Sequence, residues 1–282
     1  MQKYALIRNQ LEQDTLLSSA TFVPSPLATR VELEAVHDAS YISRVMNGGL
    51  SKHEIREVGF PWSTAGVRRA LASTGGTVAA MRCVLKGAKV AGQLAGGTHH
   101  ARRNGGAGFC VFNDVAVAAS IALKEGKRVA VLDFDVHQGD GTAEIFKGVE
   151  ELYTVSLHAE RNYPFEKIAS DIDIGFEDGV GDEEYLKVVE DVVPRVLDGF
   201  DPDVVMLQMG VDGLESDGLG RLSLSRQGLS RRNRYVYESI LEREMQAVVT
   251  MGGGYSRPSI WPSVEAHCDV YTDMARALEQ LT

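Results

Sequence analysis

The chain has 282 residues, of which 44% are hydrophobic, and it carries a formal net charge of −10. The acidic balance argues against a nucleic-acid-binding surface, which needs basic patches, and it is compatible with a cationic substrate. The cysteines Cys83, Cys110 and Cys268 are far apart and odd in number, which excludes a disulfide framework and a thiolate zinc site. Because no apolar leader or membrane-length apolar run is visible, the sequence predicts a cytoplasmic protein with no membrane partner.

Helical patterns come first along the chain, in Lys3–Leu11 and Thr29–Met46, and Thr29 with Glu32 has the pattern of a capping box. Strand-like apolar runs then alternate with amphipathic helical stretches. The predicted strands are Val90–Leu94, Val129–Phe134, Leu152–Leu157, Val204–Met209 and Ala247–Met251. The predicted helices are Thr64–Leu85, Asn113–Lys124, Asp182–Leu197 and Ser225–Arg243. This alternation predicts a parallel sheet covered on both faces, within one domain that spans residues 1–282.

Polar or glycine-rich sequence follows each of the five predicted strands. The segments are GGTHHA, DFDVHQGD, SLHAE, QMGVDG and MGGGYS, in chain order. Ligands bind beyond the carboxyl ends of the strands in open parallel sheets. These five segments are therefore the candidate functional site.

Asp135 and His137 are two positions apart, which places both side chains on one side of an extended segment. An isolated pair of this kind more often consists of a helix cap and its hydrogen-bonded partner. Asp212, at the end of another buried strand, shifts the interpretation toward a divalent metal site with three protein ligands. Such a site can activate water and polarise a carbonyl.

The adjacent His99 and His100 are candidates for a general base and a general acid, if their pKa values are pushed apart. Asp133 and Asp140 would each orient one of these rings. The alternative is that one histidine is only a surface loop residue. Tyr255 after three glycines is either a packing residue or a phenol that donates to a developing oxyanion.

The motifs GGTHHA, GFCVFND, DFDVHQGDGT, VSLH, VDGLESDGLG and GGGY together resemble the zinc-dependent histone deacetylase family, including bacterial deacetylase-like amidohydrolases. The tract from Glu160 to Leu186 is most similar to the class IV branch. The resemblance extends from about Lys3 to Thr282. It implies the arginase/deacetylase fold, a single-domain open α/β/α structure with a central, mostly parallel sheet of about eight strands.

The resemblance also implies a role for each matching residue. The zinc ligands would be Asp135, His137 and Asp212. The catalytic residues would be His99, His100 and Tyr255, with Asp133 and Asp140 as partners of the two histidines. The substrate would contact Gly108, Phe109 and Leu219. Potassium would bind near Asp133, Asp135, His137, Ser156 and Leu157, and a second monovalent ion near Phe146, Val149 and Leu152.

Two departures from the family pattern stand out. Many deacetylases carry an FFPGTG-type loop that forms the second tunnel wall, and here that place reads NYPFEKIAS, so that Tyr163 or Phe165 would supply the wall. The family normally has a first strand and the arginine of its inner product channel before the point that Met1 resembles, so that either the start is truncated or this branch manages without that arginine. The edge of the sheet and the route of product release are left open by this difference.

The sequence therefore predicts a zinc-dependent amidohydrolase that removes an acetyl or longer acyl group from a lysine side chain or a small acylated amine. The alternatives are an arginase-like hydrolase with two manganese ions and a non-catalytic module that binds acyl ligands.

Overall fold

A sheet of six parallel strands forms the centre of the protein in the computed structural model, which describes residues 2–280. The strands are β1 (Val90–Gly92), β2 (Val129–Asp133), β3 (Leu152–Ala159), β4 (Ile172–Phe176), β5 (Val204–Gln208) and β6 (Gln246–Thr250). Their order across the sheet is β1-β6-β5-β2-β3-β4. The strands β2 and β5 are therefore neighbours. The segments that carry the predicted metal ligands follow these two strands.

The central strands β2 and β5 read VAVLD and VVMLQ and are buried along their whole length. Residues of this kind suit a strand that is covered on both faces. The last residues of the two strands, Asp133 and Gln208, are register partners, and Asp133 also pairs with Ser156 of β3. The register thus places polar side chains along one edge of the sheet, where the site loops begin.

Helices cover both faces of the sheet. They are α1 (Gln2–Leu11), α2 (Arg30–Leu33), α3 (Ala39–Asn47), α4 (Lys52–Val58), α5 (Thr64–Leu85), α6 (Asp114–Lys124), α7 (Asp140–Phe146), α8 (Asp182–Phe200), α9 (Arg226–Leu241) and α10 (Trp261–Glu279). Alternate residues of β2 face opposite layers: Ala130 and Leu132 pack with α1, α8, α9 and α10, and Val129 and Val131 pack with α3, α5 and α6. In the part of the chain that the structure describes, no helix is long and apolar enough to cross a bilayer.

The predicted α/β fold with a central parallel sheet is confirmed, with six strands in residues 2–280 instead of about eight. The sequence patterns missed β4 and the helices α4, α7 and α10. The edge strand β4 reads IDIGF and is only partly buried, so that it lacks the apolar run of a central strand. Helix α10 buries polar residues such as His267 and Asp273, which obscures its apolar stripe.

The helix predicted over residues 29–46 is interrupted. The capping box of Thr29 and Glu32 is present, but α2 ends at Leu33 and α3 begins only at Ala39. His37 lies in the interruption, where its Nδ1 donates to the Arg102 carbonyl at 2.8 Å and its Nε2 accepts the Asn113 N–H at 3.0 Å. These long-range hydrogen bonds replace the local helical pattern.

His37 should make the stability of the protein depend on pH. Burial of the ring lowers the pKa of His37 to about 4, and the opposing effect of its backbone hydrogen bonds is smaller. Its contribution is complete above the ordinary histidine pKa of about 6.5 and is lost as the pH falls toward 4. We expect this residue to lower the free energy of unfolding by about 2 kcal/mol between pH 7.5 and pH 5.

Urea unfolding of wild type and His37→Asn at both pH values measures this effect. The stability difference between the two proteins should shrink by that amount at pH 5. The surface variant His53→Asn is the matched control for replacing a histidine, because that side chain is exposed. A His37→Asn difference that is the same at both pH values would contradict the assignment.

Candidate active site

Three potential metal ligands meet at the carboxyl edge of the sheet. Asp135 and His137 belong to the segment after β2, and Asp212 belongs to the segment after the neighbouring β5. Their ligand atoms all lie within 4.8 Å of one another. The Nδ1 atom of His137 is 3.0 Å from Asp135 Oδ1 and 3.1 Å from Asp212 Oδ2. Two adjacent parallel strands thus bring together residues that are far apart in the chain.

The other oxygen of each carboxylate is held by the protein. Asp135 Oδ2 accepts hydrogen bonds from Gln208 Nε2 at 2.7 Å and from the Gly253 N–H at 2.8 Å. Asp212 Oδ1 accepts the Val136 N–H at 2.9 Å. These bonds leave the remaining oxygen of each carboxylate directed toward the same point.

The electrostatics of this cluster fit a divalent cation. Burial raises the pKa of Asp212 to about 7, and the Asp135 carboxylate adds to the shift. Burial opposes the charge on His137, but its hydrogen bonds to both carboxylates outweigh this and raise its pKa to about 10. Within residues 2–280, the side-chain and amide donors to these carboxylates include no lysine or arginine. A cation would replace the proton that these three groups share, and would neutralise both carboxylates.

Two histidine–aspartate pairs lie beside the cluster. His99 Nδ1 is 2.6 Å from Asp133 Oδ2, and His100 Nδ1 is 2.6 Å from Asp140 Oδ1. The second oxygen of Asp140 accepts from Arg102 Nη2 at 2.9 Å. The two imidazole rings are adjacent, with centroids 4.1 Å apart. Each carboxylate therefore fixes one Nδ1–H, which leaves each Nε2 for chemistry.

The two histidines differ in basicity. Burial lowers the pKa of His99, but the Asp133 and Asp135 carboxylates outweigh it and raise the pKa to about 9. Burial and the neighbouring His99 lower the pKa of His100 to about 4, although Asp140 opposes this. A bound divalent cation would lower the pKa of both rings relative to these values. One ring thus favours a proton and the other favours a free lone pair.

The loop that carries both histidines is held by two residues that sequence reasoning missed. Asn113 Nδ2 donates to the carbonyls of His99 at 3.3 Å and Ala101 at 3.1 Å. The Asp114 carboxylate accepts the Thr98 N–H at 2.7 Å. Both side chains stand at the start of α6, where Asn113 is also the N-cap. An Asn-Asp pair at a helix start was a capping signal, but its partners in the histidine loop were not visible locally.

The glycine-rich segment after β6 passes directly behind the metal cluster. A Cβ atom on Gly253 would lie 2.0 Å from Asp212 Oδ2, so that only glycine allows the backbone this close. The same segment presents Tyr255, whose ring centroid is 6.3 Å from that of Phe109. Burial, followed by the charges of Asp135 and Asp212, raises the pKa of Tyr255 well above its usual value. The phenol therefore stays protonated and can donate a hydrogen bond at neutral pH.

The predicted aromatic walls occupy different positions. Tyr163 packs its ring edge-on against His100, with centroids 4.9 Å apart. Phe165 is 88% exposed and contacts Tyr163 at 6.3 Å. Phe109 is 48% exposed and stacks on Phe60 at 5.8 Å. Of the two alternatives left open by the sequence, Tyr163 is the residue that lies against His100.

The other expected substrate contacts lie near these aromatics. A Cβ atom on Gly108 would be 2.4 Å from the His100 ring, so the Gly108 backbone lies against that histidine. Leu219 is partly exposed, and its carbonyl accepts a hydrogen bond from Asn162 Nδ2 at 2.8 Å. The Asn162 side chain in turn lies 3.4 Å from His137 Nε2.

The residues expected at monovalent ion sites form two separate groups. Asp133 and Ser156 are adjacent in the register of β2 and β3, and Leu157 is buried next to Ser156. The second group surrounds the turn after α7. There the Phe146 carbonyl accepts the Val149 N–H, and the Val149 carbonyl accepts the Leu152 N–H.

A wide, largely apolar cleft of about 1730 Å³ begins at the glycine-rich segment. Its lining includes Gly252, Gly254 and Tyr255 of that segment. It also includes Leu16 and Phe22 from the region after α1, and Met274 and Leu278 from α10.

A buried lysine from α1 also reaches this cleft. Lys3 is 8% exposed, and its Nζ donates to the Gly254 carbonyl at 3.2 Å. Sequence reasoning did not identify Lys3 as a functional residue. A signal was present, because Lys3, Ile7 and Leu11 form one buried stripe of α1 and a charge on such a stripe needs a partner.

The sequence is similar to those of several known proteins. A family model described as "Histone deacetylase domain" matches residues 1–271. An uncharacterised protein of Picosynechococcus is 36% identical over 259 residues, which cover 91% of this chain and 86% of that protein. Histone deacetylase 8 of Xenopus tropicalis is 30% identical over 277 residues, with 90% and 74% covered. Histone deacetylase clr6 of Schizosaccharomyces pombe is 30% identical over 272 residues, with 89% and 66% covered.

Divalent ions should stabilise the fold through Asp212. At an ion concentration of 100 times Kd, binding adds about 2.7 kcal/mol to the free energy of unfolding. Thermal melts of metal-free protein with and without Zn²⁺ measure this gain, and Asp212→Ala should lose it.

Asp171→Ala is the matched control, because Asp171 holds Thr154 through two hydrogen bonds away from the cluster. It should melt earlier than wild type and still gain stability from the ion. Full zinc occupancy by elemental analysis in a variant with alanine at all three ligand positions would refute the site.

Proposed function

The chain belongs to the histone deacetylase family and is a hydrolase of amide bonds; on that premise we propose that it removes acyl groups from lysine side chains, or from a related acylated amine, with zinc as its metal. The observation that carries the proposal is a pair of adjacent histidines beside a three-ligand cluster. The ring centroids of His99 and His100 are 4.1 Å apart, and the Nδ1 atom of each ring is bound by its own buried carboxylate, so both can act on one substrate.

The ligand set supports a single catalytic zinc ion. Asp135, His137 and Asp212 would hold it, and two carboxylates with one imidazole is a donor set that zinc accepts. When bound, zinc supplies Lewis acidity to the substrate carbonyl and to water. Residues 2–280 contain this one group of three potential ligands within reach of one another. That finding favours one zinc over the arginase-like alternative with two manganese ions.

The histidines divide the proton transfers. His100 is neutral at pH 7 and accepts the proton of the attacking water at Nε2, while Asp140 stabilises the imidazolium that forms. His99 is held protonated by Asp133 and donates from Nε2 to the leaving amine. Tyr255 donates its phenolic hydrogen to the carbonyl oxygen as negative charge develops there. This complete set of polar groups argues against the alternative of a non-catalytic binding module.

The proposed compartment, potassium site and acyl-chain length each have separate support. The three cysteines are unpaired, which supports a reducing compartment and hence the cytoplasm. Asp133 and Ser156, at neighbouring strand ends, support the first potassium site, at Asp133, Ser156 and Leu157. The class IV-like tract and the apolar cleft support acyl chains longer than acetyl.

Tyr255→Phe tests the reaction itself. The ring and its packing are retained, so that the variant should fold and keep its metal. We expect its kcat on acyl-lysine substrates to fall by roughly 10²–10³, as on loss of one oxyanion donor. KM should change far less, because the hydrogen bond strengthens mainly in the transition state.

The measurement uses a panel of fluorogenic acyl-lysine substrates, with a chelator-treated sample as the blank. A Tyr255→Phe variant that keeps more than about half of the wild-type turnover would refute this mechanism, since loss of a real oxyanion donor costs far more.

The cleft should decide the choice of acyl chain. We expect octanoyl-lysine to be hydrolysed at least as well as acetyl-lysine, because the apolar cleft that Tyr255 lines has room for an extended chain. Met274→Trp would narrow the cleft at α10 and should lower the specificity constant for octanoyl by about tenfold. That factor corresponds to ~1.4 kcal/mol, or about two buried methylenes.

Acetyl-lysine hydrolysis should change far less in Met274→Trp, because an acetyl group has no methylenes to bury in the cleft. Met46→Trp, at an exposed site outside the cleft, is the matched control. A monotonic fall in specificity constant from acetyl to octanoyl in wild type would reject the long-chain proposal.

A further inference from the structure

The peptide group between Gly254 and Tyr255 is held at both ends by charged side chains. Lys3 Nζ donates to the Gly254 carbonyl at 3.2 Å. The Tyr255 N–H donates to Asp217 Oδ2 at 2.6 Å. An ammonium group thus faces the negative end of one peptide dipole, and a carboxylate faces its positive end.

Lys3 is well placed for this contact. Its side chain is buried, and Nζ lies 5.5 Å from the centroid of the Tyr255 ring. Its second neighbour is His267 Nε2 at 3.4 Å. His267 is fully buried, and burial followed by the charge of Lys3 lowers its pKa well below the ordinary value. His267 is therefore neutral and can accept from the ammonium group.

Asp217 connects the same peptide group to the rim of the site. Its Oδ1 accepts the N–H groups of Leu219 at 2.8 Å and Gly220 at 3.0 Å. The loop also contacts the tyrosine directly, because the Gly218 N–H donates to the Tyr255 carbonyl at 3.2 Å. Asp217 Oδ2 thus binds the backbone of Tyr255, and Asp217 Oδ1 binds the rim loop.

We call Lys3 and Asp217 the clamp. The clamp restrains a backbone segment that is flexible by itself. Gly254 has φ of +156° and follows two other glycines, so that few local restraints set its orientation. A rotation of the Gly254–Tyr255 peptide by half a turn would place its carbonyl next to Asp217 and its N–H next to Lys3. Both hydrogen bonds would then be lost, and the carbonyl would face the Asp217 carboxylate, so the two side chains select one orientation of the peptide.

We propose that Lys3 and Asp217 are positioning residues, which fix the Gly254–Tyr255 peptide group and thereby hold the Tyr255 hydroxyl where the substrate carbonyl reacts. This inference rests on the proposed role of Tyr255 as a hydrogen-bond donor. Neither residue needs to touch the substrate. Their effect on the reaction passes through the tyrosine.

The test uses Lys3→Met and Asp217→Asn in the full chain. Methionine keeps the length of Lys3 without its charge. Asparagine has only one acceptor oxygen, so it cannot hold both the Tyr255 N–H and the rim loop. We expect kcat to fall between about tenfold and a hundredfold, as for a misplaced catalytic group. Lys3→Arg should restore most of the activity in that position.

The same changes are then made in Tyr255→Phe, whose residual turnover is measured against the chelated blank. If the clamp acts through the phenol, neither change lowers kcat further in this background. Additive losses there, or normal kcat in the single variants, would overturn the inference. Equal turnover of Tyr255→Phe and wild type would instead refute the proposed function, so the two failures are distinguishable.

Asp182→Asn is the matched control for fold stability. Asp182 likewise bridges two segments, because it accepts both the N–H and the hydroxyl of Ser225, but it lies outside the site. It should lower the melting temperature and leave kcat unchanged. If Lys3→Met does not fold, Asp217→Asn and Lys3→Arg still decide the result by the same comparison.

Discussion

Four carboxylates are withdrawn from water at the carboxyl edge of the sheet, those of Asp133, Asp135, Asp140 and Asp212. A buried carboxylate without a partner costs several kcal/mol, so each of them demands a specific neighbour. Two are satisfied by one histidine ring each, and the other two face a shared imidazole. The groups that make this burial tolerable are the groups that the proposed reaction uses. Stability and chemistry therefore depend on the same hydrogen bonds.

The sheet register determines whether these neighbours meet. Gln208 ends β5 opposite Asp133, and its amide reaches three loops. It donates to Asp135 Oδ2 at 2.7 Å and to the Gly97 carbonyl at 3.3 Å, and it accepts the Gly210 N–H at 2.8 Å. A neutral amide can join these segments without adding another buried charge. A slip of one residue in β5 would turn this side chain to the opposite face of the sheet.

Much of the fold and the centre of the site could be predicted because their signals are local. Apolar runs mark the central strands, and the histidine and aspartate motifs stand directly after them. What escaped prediction depends on partners that are distant in the sequence. Lys3 contacts Gly254 across 251 positions, and His37 breaks a helix by bonding to residues 65 and 76 positions away. The edge strand β4 escaped because it is polar on its exposed side.

Asp217 gives the rim of the site and its tyrosine a single anchor. Loops that surround an active site usually vary freely, because they can be exchanged without disturbing the residues beneath them. Here the loop that carries Leu219 shares its carboxylate with the backbone of Tyr255. A change of loop length or sequence that altered the preferred substrate would also shift the tyrosine. New specificity in this scaffold is therefore expected to arise from the walls of the cleft, where substitutions leave that anchor intact, before it arises from the rim.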